Sequence, residues 1–134
     1  MLDYAHQRAI QVLKIPHKAV FVTSGPAGVQ VSEVPCEAIG LELYVLLPRT
    51  SDHLFNLEQD PSVTLLTAGW VLKGKARLIL PNKLHLEPGL LQAAEEEGCI
   101  LGQVDPFQVH IRREQGWGFV ETIDLNSLVE FKPS

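Results

Sequence analysis

The sequence predicts a mainly β fold, an antiparallel sheet closed into a small barrel with short flanking helices. Three observations point there. Several short segments alternate apolar and polar residues at the two-residue period of a strand, as Phe107, Val109 and Ile111 do against Gln108, His110 and Arg112. Tight turns such as Gly25-Pro26-Ala27-Gly28 and Glu114-Gln115-Gly116 separate these segments, and strands joined by tight turns are antiparallel. Closure is the natural way for so many short strands to remove their exposed edges.

A chain of 134 residues, 46% of them apolar, fits one domain spanning 1–134, with no internal repeat or linker. The formal charge of -5 supplies no broad basic field, so nucleic acid is not an expected partner. No apolar run is long enough to cross a bilayer, and Met1-Leu2-Asp3 opens no secretory pattern; a cytoplasmic protein away from membranes is the expectation. Cys36 and Cys99 stand singly, without the spacing of a zinc site or a disulfide framework. His6, His17, His53, His85 and His110 are scattered too, and no metal centre is expected.

Taken in order, Leu2, Ala5, Ala9, Val12 and Leu13 recur at helical spacing, so 2–14 reads as an amphipathic helix that Pro16 stops. Ala19 to Ser24 is an apolar, β-branched strand, and after the glycine turn Val29 to Ala38 continues as another. There Val29 and Val31 alternate with Gln30 and Ser32, giving either one wet face or one face turned to a ligand. Ile39-Gly40 leads into Leu41–Leu47, apolar at nearly every position and therefore a strand buried on both sides. A short helix over 51–59 ends at Asp60-Pro61, and Ser62 to Thr67 is the next strand. In the strand from Trp70 to Leu80, Lys73, Lys75 and Arg77 share one face, with Leu72, Gly74, Ala76 and Leu78 on the other. The basic ladder fits an anion contact or simply a solvated strand face, whereas small Gly74 and Ala76 invite close approach by another backbone or a flat ligand. Leu90, Leu91 and Ala94 suggest a further helix closed by Gly98, with Glu95-Glu96-Glu97 at its end. The strand around Phe107–Ile111 and a last one carrying Trp117, Phe119 and Ile123 complete the set.

The stretch with the most chemistry is Pro48-Arg49-Thr50-Ser51-Asp52-His53. Thr50 or Ser51 is a helix N-cap, leaving the next backbone N–H groups available, and the helix dipole and Arg49 add positive charge. His53 in the first turn offers another donor. Together these make a physical recipe for gripping a phosphate, although an ordinary capped surface helix carries the same signature. No phosphate-cradling glycine loop, nucleophile elbow or local catalytic triad is present, so no catalytic side chain is assigned and a cofactor bringing its own chemistry is favoured.

Three stretches give the chain a resemblance to the FMN-binding split β-barrel proteins typified by pyridoxamine 5′-phosphate oxidase. Thr23-Ser24-Gly25-Pro26-Ala27-Gly28-Val29-Gln30 with Ser32-Glu33-Val34-Pro35 is similar to that family's strand, glycine turn and flavin-facing strand. Leu43–Leu47, Ser51-Asp52-His53-Leu54-Phe55-Asn56-Leu57 and Asp60-Pro61-Ser62-Val63-Thr64-Leu65-Leu66 resemble its strand, S-x-K-x-x-N-L helix and N-P-x-V-x-L strand. Val71-Leu72-Lys73-Gly74-Lys75-Ala76 looks like the strand that follows.

The resemblance implies a homodimer of split barrels with FMN in grooves at the interface. It places the phosphate at Arg49, Thr50, Ser51 and His53, and the ribityl chain and ring along Val34, Pro35 and Leu46. Trp70 and Lys75 would approach the flavin from the following strand. A partner subunit would then explain the double apolarity of 41–47. His53 replaces the lysine of many members, and His-x-x-Asn-Leu is similar to a branch related to haem-utilisation proteins, which makes haem a second candidate ligand. Phe131-Lys132-Pro133-Ser134 does not carry the Arg and His motif that holds pyridoxal phosphate in the oxidase itself, so that activity is not implied. The expectation is a flavin-dependent oxidoreductase acting on a small molecule; its rival is a dimeric binding or structural protein of the same fold without flavin.

Overall fold

Among the described residues seven antiparallel strands form one continuous sheet, in which the strands numbered along the chain stand in the order third, second, first, fourth, fifth, sixth, seventh, and a further pairing of the third with the sixth closes the first six into a barrel. The computed structural model describes residues 4–13, 18–79 and 98–125. The expected helix over 90–97, its glutamate run, His17 and His85 lie outside these residues. The elements are α1 (Tyr4–Val12), β1 (Lys18–Thr23), β2 (Gln30–Ile39), β3 (Glu42–Pro48), α2 (Asp52–Gln59), β4 (Ser62–Leu66), β5 (Trp70–Ile79), β6 (Cys99–Arg112) and β7 (Phe119–Asp124). No helix among the described residues is long and apolar enough to cross a membrane.

Closure rests on the length of β6. Its first half pairs with β3, from Cys99 opposite Pro48 to Val104 opposite Leu43, and its second half pairs with β7. β5 runs along both halves. The barrel interior is filled from every wall by Phe21, Cys36, Leu43, Val45, Leu47, Leu65, Leu72, Val104 and Val109. Burying the larger of these side chains contributes about 1.5–3 kcal/mol each. α1 closes one side with Ala9 and Leu13, and Arg8 Nε donates to Glu121 Oε1 of β7 at 3.2 Å.

β3 is buried at every position from Leu43 to Leu47, as its unbroken apolarity predicts. Leu43, Val45 and Leu47 join the barrel core, while Tyr44 and Leu46 are buried outside that cluster. Both faces are thus covered within a single chain, and the strand's composition does not by itself call for a second subunit.

Two bulges depart from simple alternation. Gly74 pairs with Pro106 while Lys73 pairs with Gln108, so Phe107 is the extra residue. A Cβ at Gly74 would lie 2.6 Å from the Asp105 carbonyl oxygen, so the close neighbour of this glycine is the β6 backbone. In β7 a shift between Ile111 and Arg112 reverses the facing of the residues before it. Ile123 is buried, but Phe119 lies on the other side, stacked on His110 with ring centroids 4.7 Å apart, and Trp117 is 96% exposed. Trp117 and Phe119 therefore do not continue the inward row that alternation predicts. Leu78, expected on the face of β5 shared with Leu72, Gly74 and Ala76, is exposed as well. Of the basic ladder, Lys73 and Lys75 are exposed and Arg77 donates to Gln103 Oε1, the arrangement of a solvated strand face.

Candidate functional site

α2 begins in a tight turn directly after β3. The Ser51 N–H donates to the Pro48 carbonyl at 3.0 Å, and the Ser51 side chain caps the helix by accepting from the His53 N–H at 3.1 Å. The Leu54 N–H donates to the Ser51 carbonyl. Ser51 is therefore the N-cap, and it uses one of the backbone donors that a bare helix terminus would offer to an anion. Asp52 places a carboxylate in the first turn, which suits the helix dipole but opposes a bound anion.

Beside this helix start lies a cavity of about 380 Å³. β2 contributes Gln30, Ser32, Glu33, Val34 and Pro35 to its wall, and β3 contributes Leu46 and Pro48. Thr50, Ser51, Asp52 and His53 line the end formed by α2, and Cys99 of β6, paired with Pro48, lines the cavity as well. One part of the wall is apolar, through Val34, Pro35 and Leu46; the other carries hydroxyls and two carboxylates. Gln30 and Ser32 of β2 line the cavity, and Val29 and Val31, which alternate with them, are 69% and 61% exposed.

Six expected site residues thus come together here: Val34, Pro35, Leu46, Thr50, Ser51 and His53. Arg49 is exposed and does not line the wall; its Nε lies 3.9 Å from where a Cβ at Gly98 would be, beside Cys99 at the rim. Trp70 is elsewhere. It is 3% exposed and packed in the barrel core, and it does not line this cavity. Lys75 is exposed on β5 between Ser62 and Asp105, away from this cavity.

His53 plays a different part from the one expected of it. It is 2% exposed, its ring packs edge-on against Phe21 at a centroid distance of 4.9 Å, and both ring nitrogens are engaged. Nδ1 lies 2.8 Å from Thr23 Oγ1 and Nε2 lies 3.0 Å from Ser32 Oγ. Burial pushes its pKa below the usual imidazole value, and the nearby Asp52 carboxylate opposes that shift only in part. The ring is neutral and adds no positive charge for a phosphate. A haem iron needs a free imidazole nitrogen, and His53 has none to offer.

Asn56, one turn on, is fully buried. Its Oδ1 accepts from the Ala27 N–H at 2.9 Å, and its Nδ2 donates to the Gly28 carbonyl at 2.8 Å and to Thr23 Oγ1 at 3.0 Å. The Asn of the His-x-x-Asn-Leu pattern is the clamp that fixes the glycine turn to α2. Thr23 and Ser32, which sequence reasoning did not single out as site residues, are the hydroxyls on which this cluster closes. Both lie in the first hairpin that carries the family resemblance, Ser32 alternating with Val29 and Val31 and Thr23 on the inward face of β1 with Ala19 and Phe21. No group of three or more metal-ligating side chains occurs among the described residues.

No family model matches the chain, and no curated protein matches it. Solved structures do. General stress protein 26 from Bacillus anthracis str. Sterne is similar with a TM-score of 0.63 and 16% identity, over 81% of this chain and 94% of that one. A protein related to general stress protein 26, of the pyridoxinephosphate oxidase family, from Clostridium acetobutylicum is similar with a TM-score of 0.68 and 10% identity, over 95% and 99%. A FAD-binding protein from Mesorhizobium loti is similar with a TM-score of 0.61 and 13% identity, over 81% and 92%. The likeness is one of fold, and it extends over most of each chain.

Proposed function

We propose that this chain, which shares the split-barrel fold of pyridoxamine 5′-phosphate oxidase-like proteins, binds FMN and serves a flavin-dependent oxidation or reduction of a small molecule. One observation carries the reading: a single cavity joins an apolar wall of Val34, Pro35 and Leu46, suited to a flat ring, to an end bearing the Thr50 and Ser51 hydroxyls with Arg49 at the rim. Its volume falls in the range of small-molecule and cofactor sites. That a similarly folded protein binds FAD adds support.

A bound flavin supplies acceptance and return of hydride; the chain's own part is to bind, orient and tune it. Val34, Pro35 and Leu46 would exclude water from one side of the ring. Thr50 would donate to the phosphate, and Arg49 at the rim would supply the charge that Asp52 and Glu33 oppose. A second copy of the chain completing the open side belongs to the same proposal, since Val29 and Val31 leave an apolar strip exposed on the hairpin that carries the cavity wall.

The test is to purify the protein, record its visible spectrum and titrate the apo form with FMN and riboflavin. Flavin absorption bands and tighter binding of FMN than of riboflavin are expected. Arg49→Ala combined with Thr50→Ala is expected to erase that preference while leaving riboflavin binding in place. Equal affinities for the two flavins in the unaltered protein would put the phosphate elsewhere. Solution molar mass is expected to be that of two chains.

A further inference from the structure

We propose that a second cavity, at the end of the barrel where β1, β4 and β6 come together, binds a small organic monocarboxylate. The apolar body of that molecule rests on Val20 and Leu66, and its carboxylate is held by Arg112 and Lys18. The site is independent of the flavin reading.

The cavity measures about 480 Å³, within the range of small-molecule sites. Its floor follows from strand register. Val20 of β1 stands opposite Glu33 of β2 on one side and Leu66 of β4 on the other, so the three side chains form a row across the outer face of the sheet. Val20 and Leu66 are half-buried, and neither belongs to the barrel core. One wall is the turn between β4 and β5, which Thr67 fixes. Its N–H donates to the Trp70 carbonyl at 2.9 Å, and its hydroxyl accepts from the Gly69 and Trp70 N–H groups, each at 3.2 Å. The Gly69 carbonyl of the same turn accepts the Arg112 N–H at 3.0 Å, which anchors the end of β6 beside the cavity. Ile111 packs against the core, so Arg112, the next residue along the strand, lies on the outer face and lines the cavity.

Charge then selects the ligand. Lys18 Nζ lies 4.0 Å from Glu33 Oε1, a loose pair with both side chains 67% exposed, and such a pair costs little to part. Among the described residues no carboxylate pairs with the Arg112 guanidinium. Lys18 and Arg112 against Glu33 leave the lining with one net positive charge, in a chain whose formal charge is -5. A monoanion balances that charge, whereas a phosphomonoester dianion would exceed it. The planar guanidinium matches a carboxylate through two parallel N–H donors. The valine and leucine of the floor favour a hydrocarbon body over a bare inorganic ion. Glu33 competes with the incoming carboxylate for Lys18, and it lines the first cavity as well, so it is a wall residue common to both.

Titration of the apo protein at low ionic strength with phenylacetate and with its neutral isostere phenylacetamide, followed by amide 15N–1H correlations, tests this. Phenylacetate is expected to shift the amides of Val20, Leu66, Thr67 and Arg112, and to bind about tenfold more tightly than phenylacetamide. Arg112→Gln is expected to erase that preference and leave phenylacetamide binding as it was. Glu33→Gln, which removes the competitor for Lys18, is expected to strengthen phenylacetate binding by about threefold. Both side chains are exposed, so the thermal midpoint should hold in both variants. Equal affinity of the unaltered protein for the two probes overturns the role of the cations. Inorganic phosphate binding as tightly as phenylacetate overturns the apolar floor. Shifts confined to Val34, Leu46 and Thr50 of the first cavity, or no shift with either probe, overturn the site itself. None of these outcomes bears on FMN uptake, which the flavin bands report separately.

Discussion

His53 Nδ1 and Thr23 Oγ1 stand 2.8 Å apart inside the protein, and Asn56 Nδ2 reaches the same hydroxyl at 3.0 Å. This contact ties α2 to β1 through polar atoms where the surroundings are otherwise apolar, with Phe21 against one edge of the imidazole. Among the described residues no buried side-chain nitrogen or oxygen is left without a partner. A satisfied polar cluster of this kind sets position more sharply than apolar packing, because each misplaced atom costs a hydrogen bond. It holds the cavity's β2 wall and its helix end in fixed relation.

Asn56→Ala is expected to be the most damaging truncation in the cluster. It removes three hydrogen bonds and leaves the Ala27 N–H, the Gly28 carbonyl and the Thr23 hydroxyl short of a partner. A loss of about 3 kcal/mol is expected, the cost of leaving buried polar groups unsatisfied. Urea unfolding checks this: the midpoint should fall with the slope unchanged. Asn56→Asp should be no milder, since a carboxylate cannot donate to the Gly28 carbonyl.

Acid should act on the protein through His53. Its folded pKa is depressed, mainly by burial, so below about pH 6.5 the unfolded chain takes up a proton that the folded chain resists. The contribution of His53 to stability is therefore complete above about pH 6.5 and is lost as the pH falls, by at most about 1.4 kcal/mol per pH unit. Chemical unfolding between pH 5 and 8, compared with His53→Gln, isolates it. The variant should lose this part of the acid slope, while the other histidines titrate in both proteins.

How much of this was legible beforehand differs between elements. α2 and its cap were readable because Ser51, the first-turn Asp52 and the closing Asp60-Pro61 are local signals. The expected strands 19–24, 29–38, 41–47, 62–67 and 70–80 each correspond to an observed strand, since hydrophobic patterning fixes which stretches are extended. The first half of β6 was not legible. Leu101, Gly102, Gln103 and Val104 are all buried, so no alternation marks them, and a Cβ at Gly102 would lie 3.2 Å from the Val45 side chain. The bulges at Phe107 and in β7 are likewise tertiary, and they explain why Trp117 and Phe119 broke the pattern. Within the site, the motif told that His53 and Asn56 mattered but not which way they face. A buried imidazole between two hydroxyls and an exposed one beside a phosphate share one sequence signature.

Gly74→Ala should separate the two readings of small residues in β5. The added methyl would meet the Asp105 carbonyl at 2.6 Å and the Pro106 Cα at 3.0 Å, both backbone atoms that cannot rotate away. Destabilisation of about 1–3 kcal/mol is expected from this overpacking, with flavin affinity per folded molecule unchanged because the cavity is bounded by β2, β3, α2 and Cys99 at the far end of β6 from Asp105 and Pro106. Thermal unfolding and FMN titration of the same sample check both halves. A selective loss of flavin affinity at normal stability would instead place a ligand against β5.

The two cysteines report on the cavity without any mutation. Cys36 is buried in the core, and burial pushes its thiol pKa up to about 11, so the reactive thiolate is scarce at neutral pH. Cys99 is half-buried and lines the cavity. Iodoacetamide on the apo protein at pH 8, followed by peptide mass analysis, should therefore label Cys99 well before Cys36, which should react only as the fold opens. Saturating FMN should slow labelling of Cys99 and leave Cys36 as it was, because a ligand between β2, β3 and α2 covers the wall where Cys99 sits. Equal labelling of Cys99 with and without flavin, in a protein shown by titration to bind it, would move the bound ring away from this cavity.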